Sequence, residues 1–111
     1  MIHPHSKLVN DILLASNKFM VASKNPSGTG RCLTTNNIVR YGLFIGGPDI
    51  VGFLKSTTRN SGKLIGIECK TGKAVQTKDQ LQCEKIFSQH NAIYIVARSV
   101  EDFFNQLNPW V

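Results

Sequence analysis

The chain has 111 residues, 41% apolar and 18% charged, which suits about one globular core and excludes a disordered tract or a second, starved domain. Thirteen Lys and Arg against seven Asp and Glu leave a formal charge of +6, which favours a polyanionic partner without naming it. No apolar run approaches the roughly 20 residues that span a bilayer, no basic, apolar leader opens the chain, and Cys32, Cys69 and Cys83 fit neither a zinc pattern nor a secreted disulfide framework, so a cytoplasmic chain with reduced thiols is expected.

From Ser6 to Phe19, Leu8, Val9, Ile12, Leu13, Ala15 and Phe19 recur at helical spacing and predict an amphipathic helix that covers one side of a sheet. Met20 to Ala22 reads as a short strand. The stretch from Ser23 to Gly30 is rich in Pro, Gly, Ser and Asn and is expected to be loop, with Asn36-Asn37 continuing the irregular segment. Gly42 to Pro48 then leads into a little-exposed strand, Asp49 to Leu54, with Asp49 at its start.

Asn60-Ser61-Gly62 is a hairpin turn leading into the strand Lys63 to Lys70, so these two strands are expected to pair antiparallel. Thr77-Lys78-Asp79-Gln80 has the residues of a capping box and opens a helix to about Gln89, a crossover ended by Asn91. Ala92 to Ala97 is the most β-prone run, and Ser99-Val100-Glu101-Asp102 is a second capping box for a closing helix through Leu107, stopped by Pro109. The order is that of an α/β domain over residues 1–111, a small mixed β-sheet flanked by helices, with no internal repeat.

The chemistry concentrates where the two central strands meet. On neighbouring strands Asp49 and Glu68 can converge on one cation, and Lys70, two residues beyond Glu68, shares its face. Two carboxylates and an ammonium at one spot point to metal-assisted phosphate chemistry. Each has a plainer reading beside it: Asp49 after Gly46-Gly47-Pro48 as a turn residue, Glu68 and Lys70 as an exposed strand face. Glu68, however, interrupts the apolar run Leu64 to Cys69, and an ionised carboxylate near a core must be paired or metal-bound.

The segments Arg40 to Gly52, Gly62 through Glu68-Cys69-Lys70-Thr71-Gly72-Lys73, Gln80, and Ala97 to Asp102 together resemble the VRR-NUC nuclease domain, a branch of the PD-(D/E)xK superfamily. The resemblance spans positions from about 30 to 105 in one order. It implies a restriction-endonuclease-like core in which Asp49, Glu68 and the backbone carbonyl of Cys69 hold Mg²⁺ or Mn²⁺, Lys70 positions or activates the attacking water, and Gln80 lies near the scissile phosphate. It further implies a small stand-alone, phage-type endonuclease acting on branched, Holliday-junction-like DNA as a homodimer. A hard cation with two carboxylates and open positions suits that chemistry.

Gln80 has a rival structural role as part of its own capping box, and Gln76, Gln80, Cys83 and Phe87 share one helix face. Lys73, Lys78, Arg40 and Arg98, with Arg31, are candidate contacts to DNA phosphates. Thr71-Gly72-Lys73 lacks the frame of a phosphate-binding P-loop, so ATP is not implied. His3, His5 and His90 are assigned no ligand role, and Tyr41, Phe44 and Trp110 read as core or dimer contacts. In place of the glutamate that many family members carry in the opening helix stands His5-Ser6-Lys7-Leu8, leaving Asp11 or no residue to fill that position. The competing functional class is a non-catalytic DNA-binding module of the same fold; a nuclease for other DNA or RNA structures is a further alternative.

Overall fold

A computed structural model describes residues 2–111. Three helices and six strands alternate in the order α1 (Pro4–Ser16), β1 (Met20–Lys24), β2 (Gly28–Arg31), β3 (Ile38–Tyr41), β4 (Ile50–Leu54), β5 (Leu64–Cys69), α2 (Lys78–Gln89), β6 (Ile93–Ala97) and α3 (Val100–Leu107), followed by a 3₁₀ turn, Asn108–Trp110. Four strands form one mixed sheet in the order β1-β4-β5-β6. The first three neighbours pair antiparallel, and β5 runs parallel to β6, as a crossover through α2 requires.

The alternation along β5 and β6 divides the sheet into two faces. Ile65, Ile67, Cys69, Ile93, Ile95 and Ala97 point toward α1 and α3, where they meet Val9, Ile12, Phe103 and Leu107 in the main core. The opposite face carries Gly66, Glu68 and Tyr94, and there α2 docks through buried Cys83 and Phe87. Gly66 lets the helix in: a Cβ there would stand 2.7 Å from Pro48 Cγ and 2.9 Å from Phe87 Cε2. The helix face expected from Gln80, Cys83 and Phe87 is the one that turns to the sheet, whereas Gln76, expected on the same face, lies ahead of the N-cap Thr77 and outside the helix.

The elements expected from patterning are present, with two corrections. Helix α1 starts at Pro4, where a ring that lacks an N–H suits the first turn, and ends at Ser16 rather than Phe19. The stretch expected to be irregular contains a second, two-stranded sheet, in which Gly28 pairs with Tyr41 and Arg31 with Ile38. Both faces of this hairpin are exposed, so no period-two alternation of apolar and polar residues is needed to build it. Beyond it Asn25 holds the return toward β4, its amide donating to the Leu43 and Pro48 carbonyls at 3.0 Å each while its Oδ1 accepts from Leu43 N at 2.8 Å.

No helix among the described residues is long and apolar enough to cross a membrane. All three cysteines are free thiols.

Candidate active site

The antiparallel register sets Ile50 opposite Ile67, and one step further along the same ladder brings Asp49 opposite Glu68. Sequence and register thus place the two carboxylates on one face at the end of the central strand pair. Asp49 is half-buried and its Oδ2 accepts from Cys69 N at 2.7 Å. Glu68 is buried, 2% exposed, and every one of its hydrogen bonds comes from a neighbouring element. Gln80 Nε2 donates to Oε1 at 3.0 Å from the first turn of α2, and the Tyr94 hydroxyl donates to Oε2 at 3.2 Å from β6.

Lys70 leaves the end of β5 on the same face, its Nζ 3.9 Å from Glu68 Oε1 and donating to Gln80 Oε1 at 2.8 Å. Gln80 Oε1 also accepts from Thr77 N at 2.8 Å, while Gln80 N donates to Thr77 Oγ1 at 3.2 Å. The capping role and the site role therefore belong to one side chain: the amide that closes the first turn of α2 also ties Lys70 to Glu68.

Burial pushes the Glu68 carboxyl up to about 8, the nearby Asp49 charge adds to the rise, and Lys70 opposes it. The Tyr94 hydroxyl is pushed up by burial and then by Glu68. The Cys69 thiol is pushed up to about 12 by burial first and then by Asp49 and Glu68, which makes it an inert core group rather than a nucleophile. Ionising both acids beside a single ammonium would leave a surplus of negative charge, which a cation would relieve. Their oxygens, with the Cys69 carbonyl, form the kind of donor set a hard divalent ion prefers. Among the described residues no group of three or more His, Cys, Asp and Glu side chains is arranged to hold a metal ion. The available set is two carboxylates and a main-chain oxygen.

Two further residues reach this centre, and neither was assigned a role from sequence. His5, on the first turn of α1, arrives from the opposite layer and puts Nε2 3.1 Å from the Cys69 carbonyl oxygen and 3.4 Å from Asp49 Oδ2. Pro4 starts the helix early enough to bring the His5 imidazole over the end of β5. Asp11 is elsewhere, paired with Lys7 at 2.6 Å one turn earlier on an outward face. Tyr94 was hidden in a run that reads as apolar; its signal is the parallel register that sets Gly66 beside Tyr94, two residues from Glu68 on the same face.

The candidate phosphate contacts lie around this centre in different states. Lys73 and Lys78 are exposed on the loop after β5 and at the first position of α2. Arg40 is exposed on β3 and lines an open cleft between the hairpin and α2 with Ser27, Phe44, Gly46 and Asp79. Arg98 is committed to the loop after β5, donating to the Gly72 carbonyl at 3.2 Å and the Ala74 carbonyl at 2.8 Å. Arg31 donates to the Asn36 side chain at 3.2 Å within the hairpin.

Phe44 stacks edge-on with Phe87 at 5.3 Å, and Lys63 lies over the Trp110 ring at 4.9 Å, so both aromatics pack within the fold, whereas Tyr41 is largely exposed. Comparison with family models, with curated proteins and with solved structures finds no match to this chain.

Proposed function

We propose that the chain is a metal-dependent endonuclease that hydrolyses phosphodiester bonds in DNA, with a PD-(D/E)xK core of the VRR-NUC kind and a preference for branched, Holliday-junction-like substrates. The observation that carries this reading is the meeting of Asp49, Glu68 and Lys70 at the end of β5, with Lys70 Nζ 3.9 Å from Glu68 Oε1. A Mg²⁺ or Mn²⁺ ion held by Asp49, Glu68 and the Cys69 carbonyl would polarise the phosphate and lower the pKa of a bound water.

The chain's own groups supply the rest. Lys70, fixed by Gln80, offers a positive charge and proton donors to the negative charge that builds on the phosphate, and Tyr94 with Gln80 holds Glu68 in one orientation. The formal charge of +6, with exposed Lys73, Lys78 and Arg40, suits a polyanionic substrate. A homodimer fits the exposed apolar side chains Leu33, Ile38, Val39, Tyr41, Leu43 and Ile45 on and after the hairpin, and pairs two centres on one junction. The cytoplasm of a bacterial host, with a phage-encoded chain, is the setting that accompanies this reading.

One observation favours a second reading, a DNA-binding module without catalysis: both oxygens of Glu68 are already satisfied by protein donors, as in a structural polar network. Labelled four-way, flap, single-stranded and linear duplex DNA, incubated with Mg²⁺ or Mn²⁺ and with or without chelator, separate the two. The nuclease cuts in a chelator-sensitive way, and Asp49→Ala lowers the rate by about a hundredfold to a thousandfold while DNA binding persists. A wild-type chain that binds all four and cuts none is the module. Equal cutting of the four removes the junction preference.

A further inference from the structure

We propose that His5 is a ligand of the ion in this centre, and that its nitrogen turns the site's preference from magnesium toward first-row transition cations; the inference rests on the metal-dependent reading above and names which ion that site takes. His5 Nε2 stands 3.1 Å from the Cys69 carbonyl oxygen and 3.4 Å from Asp49 Oδ2. In the ion-free chain the 3.1 Å contact is a hydrogen bond, and because an ion with bonds of about 2.1 Å holds ligands at right angles about 3 Å apart, the same groups stand close enough to share one cation.

The placement is built into the fold. Pro4 starts α1, His3 Nδ1 accepts from His5 N at 3.2 Å, and Val9 and Ile12 anchor the helix in the core, so the imidazole is presented from a fixed first turn. The ring is half-buried beside a cleft lined by Ser6, Asn25, Gly47 and Asp49, which leaves the outer side of the site open to water and substrate.

The chemical consequence is selective. Carboxylate and carbonyl oxygens suit Mg²⁺, whereas an imidazole adds little for that hard ion and more for Mn²⁺ and, further along the affinity order, Co²⁺. His5 therefore sets ion preference without altering the Asp49, Glu68 and Lys70 arrangement that serves the phosphate.

Calorimetric titration of the full chain with Mg²⁺, Mn²⁺ and Co²⁺, together with pulsed electron paramagnetic resonance of the Mn²⁺ form, tests this. The expected result is a histidine nitrogen coupling in the wild-type Mn²⁺ spectrum that His5→Ala abolishes. His5→Ala also weakens Mn²⁺ and Co²⁺ by about tenfold or more, with a smaller effect on Mg²⁺, and His5→Glu shifts the preference back toward Mg²⁺. Asp49→Ala controls for capture of the ion by the histidines of the first turn alone and weakens all three ions.

Ion binding without a nitrogen coupling, or equal weakening of all three ions in His5→Ala, overturns the role of His5 and leaves the nuclease reading standing. Loss in His5→Ala with no effect of Asp49→Ala also overturns it, since the ion then sits outside the centre. No binding of any of the three ions overturns both readings. Circular dichroism melts of each variant separate loss of a ligand from loss of fold.

Discussion

Glu68 carries a burden that depends on pH. Burial, and then the Asp49 charge, raise its carboxyl from 4.5 to about 8, so the folded chain holds this proton more tightly than the unfolded chain does. Its favourable contribution is complete below about pH 4.5 and is lost as the pH rises through about 8. The ion-free protein is therefore expected to lose stability across that window, by an amount on the order of a few kcal/mol. Thermal melts with chelator at a series of pH values check the slope, and Glu68→Gln flattens it; a rise in stability toward pH 8 would contradict the burial argument. Added divalent ion reverses the trend, because it binds the ionised form. Gln80 offers a second check at the same scale. Thr77→Ala and Gln80→Ala both break the reciprocal cap of α2, and each is expected to cost about 1 kcal/mol in urea unfolding. Only Gln80→Ala also frees Lys70 and Glu68, so under the proposed nuclease activity it alone is expected to lower kcat beyond what the shared loss of stability explains.

Elements explain why some of this was legible in the sequence. The strands β4 and β5 announce themselves by apolar density, the turn at Asn60-Ser61-Gly62 sets their register, and that register is what brings Asp49 to Glu68. The helix face of α2 is equally plain, since Cys83 and Phe87 follow Gln80 at helical spacing. The hairpin β2–β3 was not, because its side chains are exposed on both faces and its strands carry Gly28 and Gly30, which read as breakers. His5 was hidden for a different reason: its role depends on the position of α1 against the far end of β5, a distance of 64 residues along the chain. A proline followed by a histidine at the start of a core helix was the available signal. The docking of α2 rests on Gly66, and Gly66→Ala forces Pro48 and Phe87 apart. The expected cost is about 1–3 kcal/mol in chemical denaturation, as for other overpacked sites.

For the whole molecule, the charge of +6 and the exposed lysines around the centre are expected to make binding of the proposed DNA substrate sensitive to salt. Removing Lys73 or Lys78 by alanine substitution is expected to weaken binding uniformly across DNA structures and to lower the slope of log affinity against log salt by about 1 each. Arg98→Ala should behave differently, since its guanidinium braces the loop that carries Lys73 through the Gly72 and Ala74 carbonyls. Fluorescence anisotropy at several salt concentrations distinguishes the two patterns. The opposite pole of the sheet has a different character: Arg59 donates to the Pro109 carbonyl at 2.9 Å and Asn60 to the Trp110 carbonyl at 2.7 Å, fastening residues 109 and 110 to the β4–β5 turn. A five-residue strand separates that turn from Asp49, about 17 Å at the usual rise. The two termini are therefore unequal as attachment points. A purification handle or surface tether joined after Val111 stands a strand's length from Asp49, whereas a polyhistidine extension ahead of Pro4 would place added imidazoles close to His5 and the end of β5.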